Sequence, residues 1–204
     1  MSARLEPWAR WFAQLSAAIA IGDEPRMAEA MGRLRDEGRI PLVEETILQS
    51  YVFAGYPRAL NAFTLWRRLS GVEAPAPAAE NWAAIEARGI EVCRRVYGRV
   101  YGRLRRNIAR LHPDLDRWMV VEGYGKILGR PGLDLTWREL SAVAALAALG
   151  VRPQLHAHLQ GAMNIGVPRP RIDEWVGWLE AILPADRGAL LRELWEEVRG
   201  RRCL

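Results

Sequence analysis

The chain has little of what marks a secreted or membrane-embedded protein. Cys93 and Cys203 are the only cysteines, and their separation in sequence suggests no redox pair. A disulfide scaffold and a thiolate zinc site are therefore not expected. No apolar run reaches the roughly 20 residues of a membrane span; the longest, Leu140 to Leu149, is half alanine and stops at Gly150. The opening MSARLEPWARWF has no apolar core of the secretory kind. These absences point to a cytoplasmic protein with no membrane partner. A phosphate-cradling glycine loop, a His-Glu-x-x-His pair and a carboxylate cluster of metal spacing are all missing, so no metal is expected. Lysine is nearly absent too: Lys126 stands alone among 29 basic residues, and the net charge is +5. Genome composition alone can produce such an arginine bias, so it assigns no function by itself.

What is present is helical patterning. Val92, Val96, Val100, Leu104 and Ile108 recur every four residues, the stripe of an amphipathic helix over 92–111. Alternating β-branched runs joined by Asn-Gly or Asp-Gly turns do not occur. The stretch GVEAPAPAAE at 71–80 reads as a linker. We expect an N-terminal helical unit over 1–70, a linker region over 71–89 and a C-terminal unit over 90–204.

The two units share punctuation. Gly22 and Gly38 lie 16 residues apart, as do Gly150 and Gly166, with an offset of 128 that also places Pro25 on Pro153, Met27 on Leu155 and Met31 on Leu159. Each stretch reads as an alanine-rich helix, a glycine stop, a proline-started helix and a second glycine stop. Proline suits a first helical turn and glycine a left-handed cap. Any two helical hairpins could share such signals; the common spacing favours duplication.

Two side chains could carry chemistry. A helix over 153–165 puts His158 on the same face as Leu155, Leu159 and Ala162, while His156 sits about 200° away and faces outward or toward a neighbouring subunit. An imidazole on a buried face beside a carboxylate can donate or accept a proton near neutral pH, and Glu139 on the preceding helix is the candidate carboxylate. Plainer roles exist for both. Thr136-x-x-Glu139 fits a capping box, and a histidine on an apolar face can simply be a satisfied core residue.

The run GYGKILGRPGLDLTWRELSAVAALAALGVRPQLHAHLQGAMNIGVPRPRIDE, residues 123–174, resembles the carboxymuconolactone decarboxylase family. It carries the Arg-Pro-Gly-Leu-Asp element, the Ala/Leu helix, and a His-x-x-x-Ala helix closing on Asn-x-Gly-Val. RRVYG at 94–98 looks like an upstream family element, so the resemblance covers about 90–182. The closing Tyr-x-Gly-x-Pro-Ala element looks present instead in the N-terminal unit, within EETILQSYVFAGYPRALNAF at 44–63, while Leu183 and Pro184 stand at its place in the second unit.

The resemblance implies an all-α helical bundle of the alkylhydroperoxidase D-like type, here with two diverged repeats. It also implies a homo-oligomer, a trimer or dimer of trimers, with sites near subunit contacts. Glu139 and His158 fall on the glutamate and histidine of the peroxidase branch, but that branch's two cysteines fall on Val151 and Gln154, which leaves no nucleophilic or resolving thiol. Trp11 and Ala30 stand at the matching N-terminal positions, a degenerate site. The decarboxylase branch needs neither metal nor cofactor. For it, His158 is expected to supply a proton and Glu139 to orient it, with Arg130, Arg138 and His156 binding a small anionic substrate.

A rival reading rests on Arg94, Arg95, Arg99, Arg103, Arg105, Arg106 and Arg110, which could line one basic face of the 92–111 helix and contact nucleic acid. A solvated arginine face or subunit contact explains the same pattern, and a nucleic-acid partner is not expected.

Overall fold

The computed structural model describes residues 4–77, 79 and 81–200. Among them no strand occurs, and the architecture is an all-α bundle. Two helices form its centre: α1 (Ala9–Ile21) and α7 (Leu135–Leu149). Both lack a polar face over most of their length, as a helix must when it is buried all round. Ser16 Oγ and Ser141 Oγ meet at 3.0 Å where the two cross. Residues of both halves enter one continuous core.

Around this pair the two halves share local punctuation. Each central helix ends on a glycine with positive φ, Gly22 (75°) and Gly150 (70°). Against each glycine lies a guanidinium: a Cβ would stand 1.7 Å from an Arg58 nitrogen or 1.8 Å from an Arg187 nitrogen. The left-handed backbone is what calls for glycine at both positions, and the arginine ends pack into the space that a side chain would take. Next come α2 (Glu24–Asp36) and α8 (Arg152–Asn164). Met27, Ala30, Met31 and Leu34 are buried on α2, and Leu155, His158, Leu159 and Ala162 on α8. At the sequence offset of 128, His158 corresponds to Ala30, and both are buried.

The third helix, α3 (Ile40–Ser70), leaves helical geometry at Gly55 (φ 81°, ψ 165°), two residues before Pro57. In the second half, α9 (Arg169–Ile182) and α10 (Ala185–Arg199) are separated at Leu183-Pro184. The fully buried Trp66 donates through Nε1 to Glu44, and the fully buried Trp195 likewise to Asp173. Other tryptophans pack in the core through their rings: Trp8, Trp137 and Trp175 cluster around Phe12. Trp82 and Trp118 are the exposed ones.

Between the halves, α4 (Trp82–Tyr97) takes up the last eight residues of the expected linker, because Asn81 caps it by accepting from the Ala83 and Ala84 N–H groups. The helix expected over 92–111 is two helices. At Gly98 the backbone turns (φ 53°, ψ −129°), a 3₁₀ turn follows, and α5 (Tyr101–Leu111) sets off separately. The seven arginines therefore do not form one continuous face. Arg105 pairs with Asp116 and donates to the Tyr101 hydroxyl, and Arg94 stacks over the Tyr101 ring. A short α6 (Pro113–Trp118) runs into a π-helical stretch, Met119–Leu128. That stretch packs tightly on α4: a Cβ on Gly89 would lie 2.2 Å from the Val120 carbonyl oxygen.

Candidate functional site

The carboxylate and imidazole expected to meet do so. Glu139 comes from the second turn of α7 and His158 from the middle of α8, and Oε2 lies 2.9 Å from Nδ1. Glu139 is fully buried and His158 only 7% exposed. The side chain of Glu139 points into the bundle and does not cap α7; Asp134 holds the cap position. The capping-box role is therefore not the one Glu139 plays. A carboxylate at Glu139 would accept from a protonated Nδ1, and Nε2 is the ring nitrogen outside this contact. Phe53 stands edge-on to the imidazole, with ring centroids 5.5 Å apart.

Two further residues make the meeting possible. A Cβ on Gly161 would lie 2.8 Å from Glu139 Oε2 and 2.7 Å from a Val96 methyl, so α8 sits this close to α4 and α7 because residue 161 has no side chain. Asn164 donates through Nδ2 to the Val96 carbonyl at 2.8 Å and fastens the end of α8 to α4. The asparagine of the Asn-x-Gly-Val element thus has a structural task.

Behind the pair lies a polar patch the sequence did not single out. Tyr124, buried on the π-helix, donates to the Tyr97 hydroxyl at 2.8 Å. Burial drives both phenols well above their ordinary range; the Glu139 charge adds to this, while for Tyr97 the donated hydrogen bond works against it. Cys93, also buried, is pushed up to about 12 by burial; the Arg105 charge opposes this, and Asp116 and Glu139 add to it less. The second Glu139 oxygen, Oε1, is buried with no hydrogen-bond partner. Both tyrosines fall inside the quoted family-like elements, but nothing in spacing brings positions 97 and 124 together.

The remaining expected residues are elsewhere. Arg138 is fully buried and turned toward α3, where it donates to Glu45 Oε2 at 2.7 Å, to Gln49, and to the Arg130 carbonyl. Desolvation lowers its pKa, opposed by Glu45. Its guanidinium is committed to Glu45 and does not join the pair. Arg130 binds the other oxygen of Glu45 at 3.1 Å. Together they pin the Arg-Pro-Gly-Leu-Asp loop to α3. His156 lies 3.6 Å from Glu197 on α10, away from His158. A cleft of about 610 Å³ has Arg130 in its wall but neither Glu139 nor His158.

Residues 113–193 match the carboxymuconolactone decarboxylase family. A 4-carboxymuconolactone decarboxylase from Acinetobacter baylyi is 31% identical over 105 residues, spanning 50% of this chain and 78% of that protein. The chain belongs to this family. The match begins later than the sequence elements suggested, leaving RRVYG at 94–98 outside it, and runs on through α9 into α10. Two other relatives are named peroxisomal protein 2. The one from Schizosaccharomyces pombe is 27% identical over 140 residues, or 65% of this chain and 64% of that protein. The one from Saccharomyces cerevisiae is 27% identical over 159 residues, or 63% and 56%. The chain thus spans about three-fifths of the length of these yeast relatives, and the family contains members named for something other than decarboxylation. No described helix is long and apolar enough to cross a membrane.

Proposed function

We propose that the protein is a cofactor-free lyase that removes carbon dioxide from a small carboxylated lactone or a related acid, with Glu139 and His158 as its working pair. The observation that carries this reading is the buried 2.9 Å contact between them inside the family-matched segment. In such a reaction the bond between the ring carbon and the carboxylate breaks, and its electrons move toward the lactone carbonyl. A proton then returns to carbon. His158, entering as imidazolium, gives that proton from Nε2 and leaves as neutral imidazole with Nδ1–H still on Glu139. Glu139 is a positioning residue: it fixes the ring and its tautomer.

Arg138 does not anchor the substrate in this reading, since Glu45 holds it, and Arg130 and His156 face other surroundings. The duplicated arrangement fits a fusion of two family-like units, of which the first, with Trp11 and Ala30 at the corresponding positions, has become a scaffold. Assembly as a homo-oligomer fits the exposed Leu111, Leu115 and Trp118 along α5 and α6. A cytoplasmic home fits the low cysteine content.

A second reading, a binding or assembly protein without turnover, is favoured by the absence of the pair from the cleft of about 610 Å³. Turnover of 4-carboxymuconolactone by the wild-type protein and by His158→Gln separates the two.

A further inference from the structure

The 610 Å³ cleft is built from both halves of the chain. Trp8, ahead of α1, and Arg39, at the turn into α3, come from the first half. Arg95 on α4, Arg130 and Asp134 of the loop before α7, and Trp137 in its first turn come from the second. Its volume lies in the range of small-molecule sites.

Its walls combine flat apolar surface with unspent positive charge. The Trp8 and Trp137 rings are 4.7 Å apart at 50°, and the Arg39 guanidinium lies 4.6 Å over Trp8. Arg39 has a loose, exposed pair with Glu6 at 3.4 Å, yet its Nε is buried with no hydrogen-bond partner. Arg130 shares a single carboxylate, Glu45, with Arg138. Arg95 is exposed and makes no ion pair among the described residues. Against three arginines the wall offers one acid, the exposed Asp134. A guanidinium fork matches a carboxylate in plane, and indole faces match a flat ring.

We propose that this cleft is a second site, separate from the Glu139–His158 pair, that binds a small planar aromatic carboxylate. The carboxylate pairs with Arg95 and with the Arg39 guanidinium, and the ring rests on the indole wall. The site does not depend on any reaction at His158, so it stands or falls apart from the lyase reading.

Benzoate and cyclohexanecarboxylate, titrated by saturation-transfer NMR, provide the probe. The full chain is expected to bind benzoate saturably and the non-planar acid at least several-fold more weakly. Arg95→Glu, on an exposed position with no internal partner, should weaken benzoate by about tenfold or more. His158→Gln should leave benzoate affinity within about twofold. Benzoate binding that survives Arg95→Glu unchanged, or that disappears with His158→Gln, would overturn the assignment. So would equal affinity for the two acids, or no saturable binding of either.

Discussion

Gly161 faces Glu139 so closely that a single added carbon would stand 2.8 Å from the carboxylate oxygen that binds His158. The Val96 methyl at 2.7 Å closes the other side. Gly161→Ala must therefore displace the carboxylate, the imidazole or α4. Over-packing of this kind costs about 1–3 kcal/mol, and the imidazole resonances of His158 should shift in NMR spectra. Gly32→Ala supplies the contrast, since nothing lies within 4 Å of its Cβ position in α2. That change should stabilise by about 0.4–1 kcal/mol. Equal melting temperatures for the two variants would mean that the contact at Gly161 is not tight.

The buried acid–phenol–thiol patch predicts a loss of stability in alkali. Cys93 is raised from 9.0 to about 12 by burial, so between those values the folded state holds a proton that the unfolded state has released. Stability is complete below pH 9 and falls as the pH climbs toward 12, with Tyr97 and Tyr124 adding to the fall in strong alkali. Cys93→Ala should flatten the first part of that decline in denaturant titrations. For the same reason the native thiol should resist thiol reagents at neutral pH. No hydroperoxide turnover is expected with a dithiol reductant, and turnover lost on Cys93→Ser would contradict this.

Glu45 holds two arginines, one of them wholly buried. Glu45→Gln leaves Arg138 charged and uncompensated in the core, a loss of about 3 kcal/mol or more. Arg130→Ala removes only the partly exposed member, and Arg138 keeps its carboxylate. Its cost should be under about 1 kcal/mol. Chemical denaturation of the two variants checks the order, and a reversed order would place the charge balance elsewhere.

How much of this could be read from the chain follows from the range of each signal. Local signals were legible. Helical phase placed His158 on the buried face, and the glycine and proline spacing marked α2 and α8 with one offset. Family-like elements brought Glu139 to it. Signals of intermediate range were read too coarsely. The four-residue stripe from Val92 to Ile108 runs unbroken in sequence, yet Gly98 turns the backbone inside it, and Asn81 starts α4 within what composition marks as linker. Long-range pairing left no trace. Glu45 meets Arg130 and Arg138 across 85 and 93 positions, and no pattern in either segment announces the other. Arg138 therefore looked free for a ligand when it is the most committed arginine of the core.

The chemistry assigned to the pair is tested most directly by steady-state turnover of 4-carboxymuconolactone, measured as carbon dioxide release, for wild type and His158→Gln side by side with their melting curves. Loss of a general acid should lower kcat by about 10²–10⁴-fold while the melting temperature barely moves, since glutamine can still hydrogen-bond Glu139. A His158→Gln protein that turns over at the wild-type rate would contradict the account.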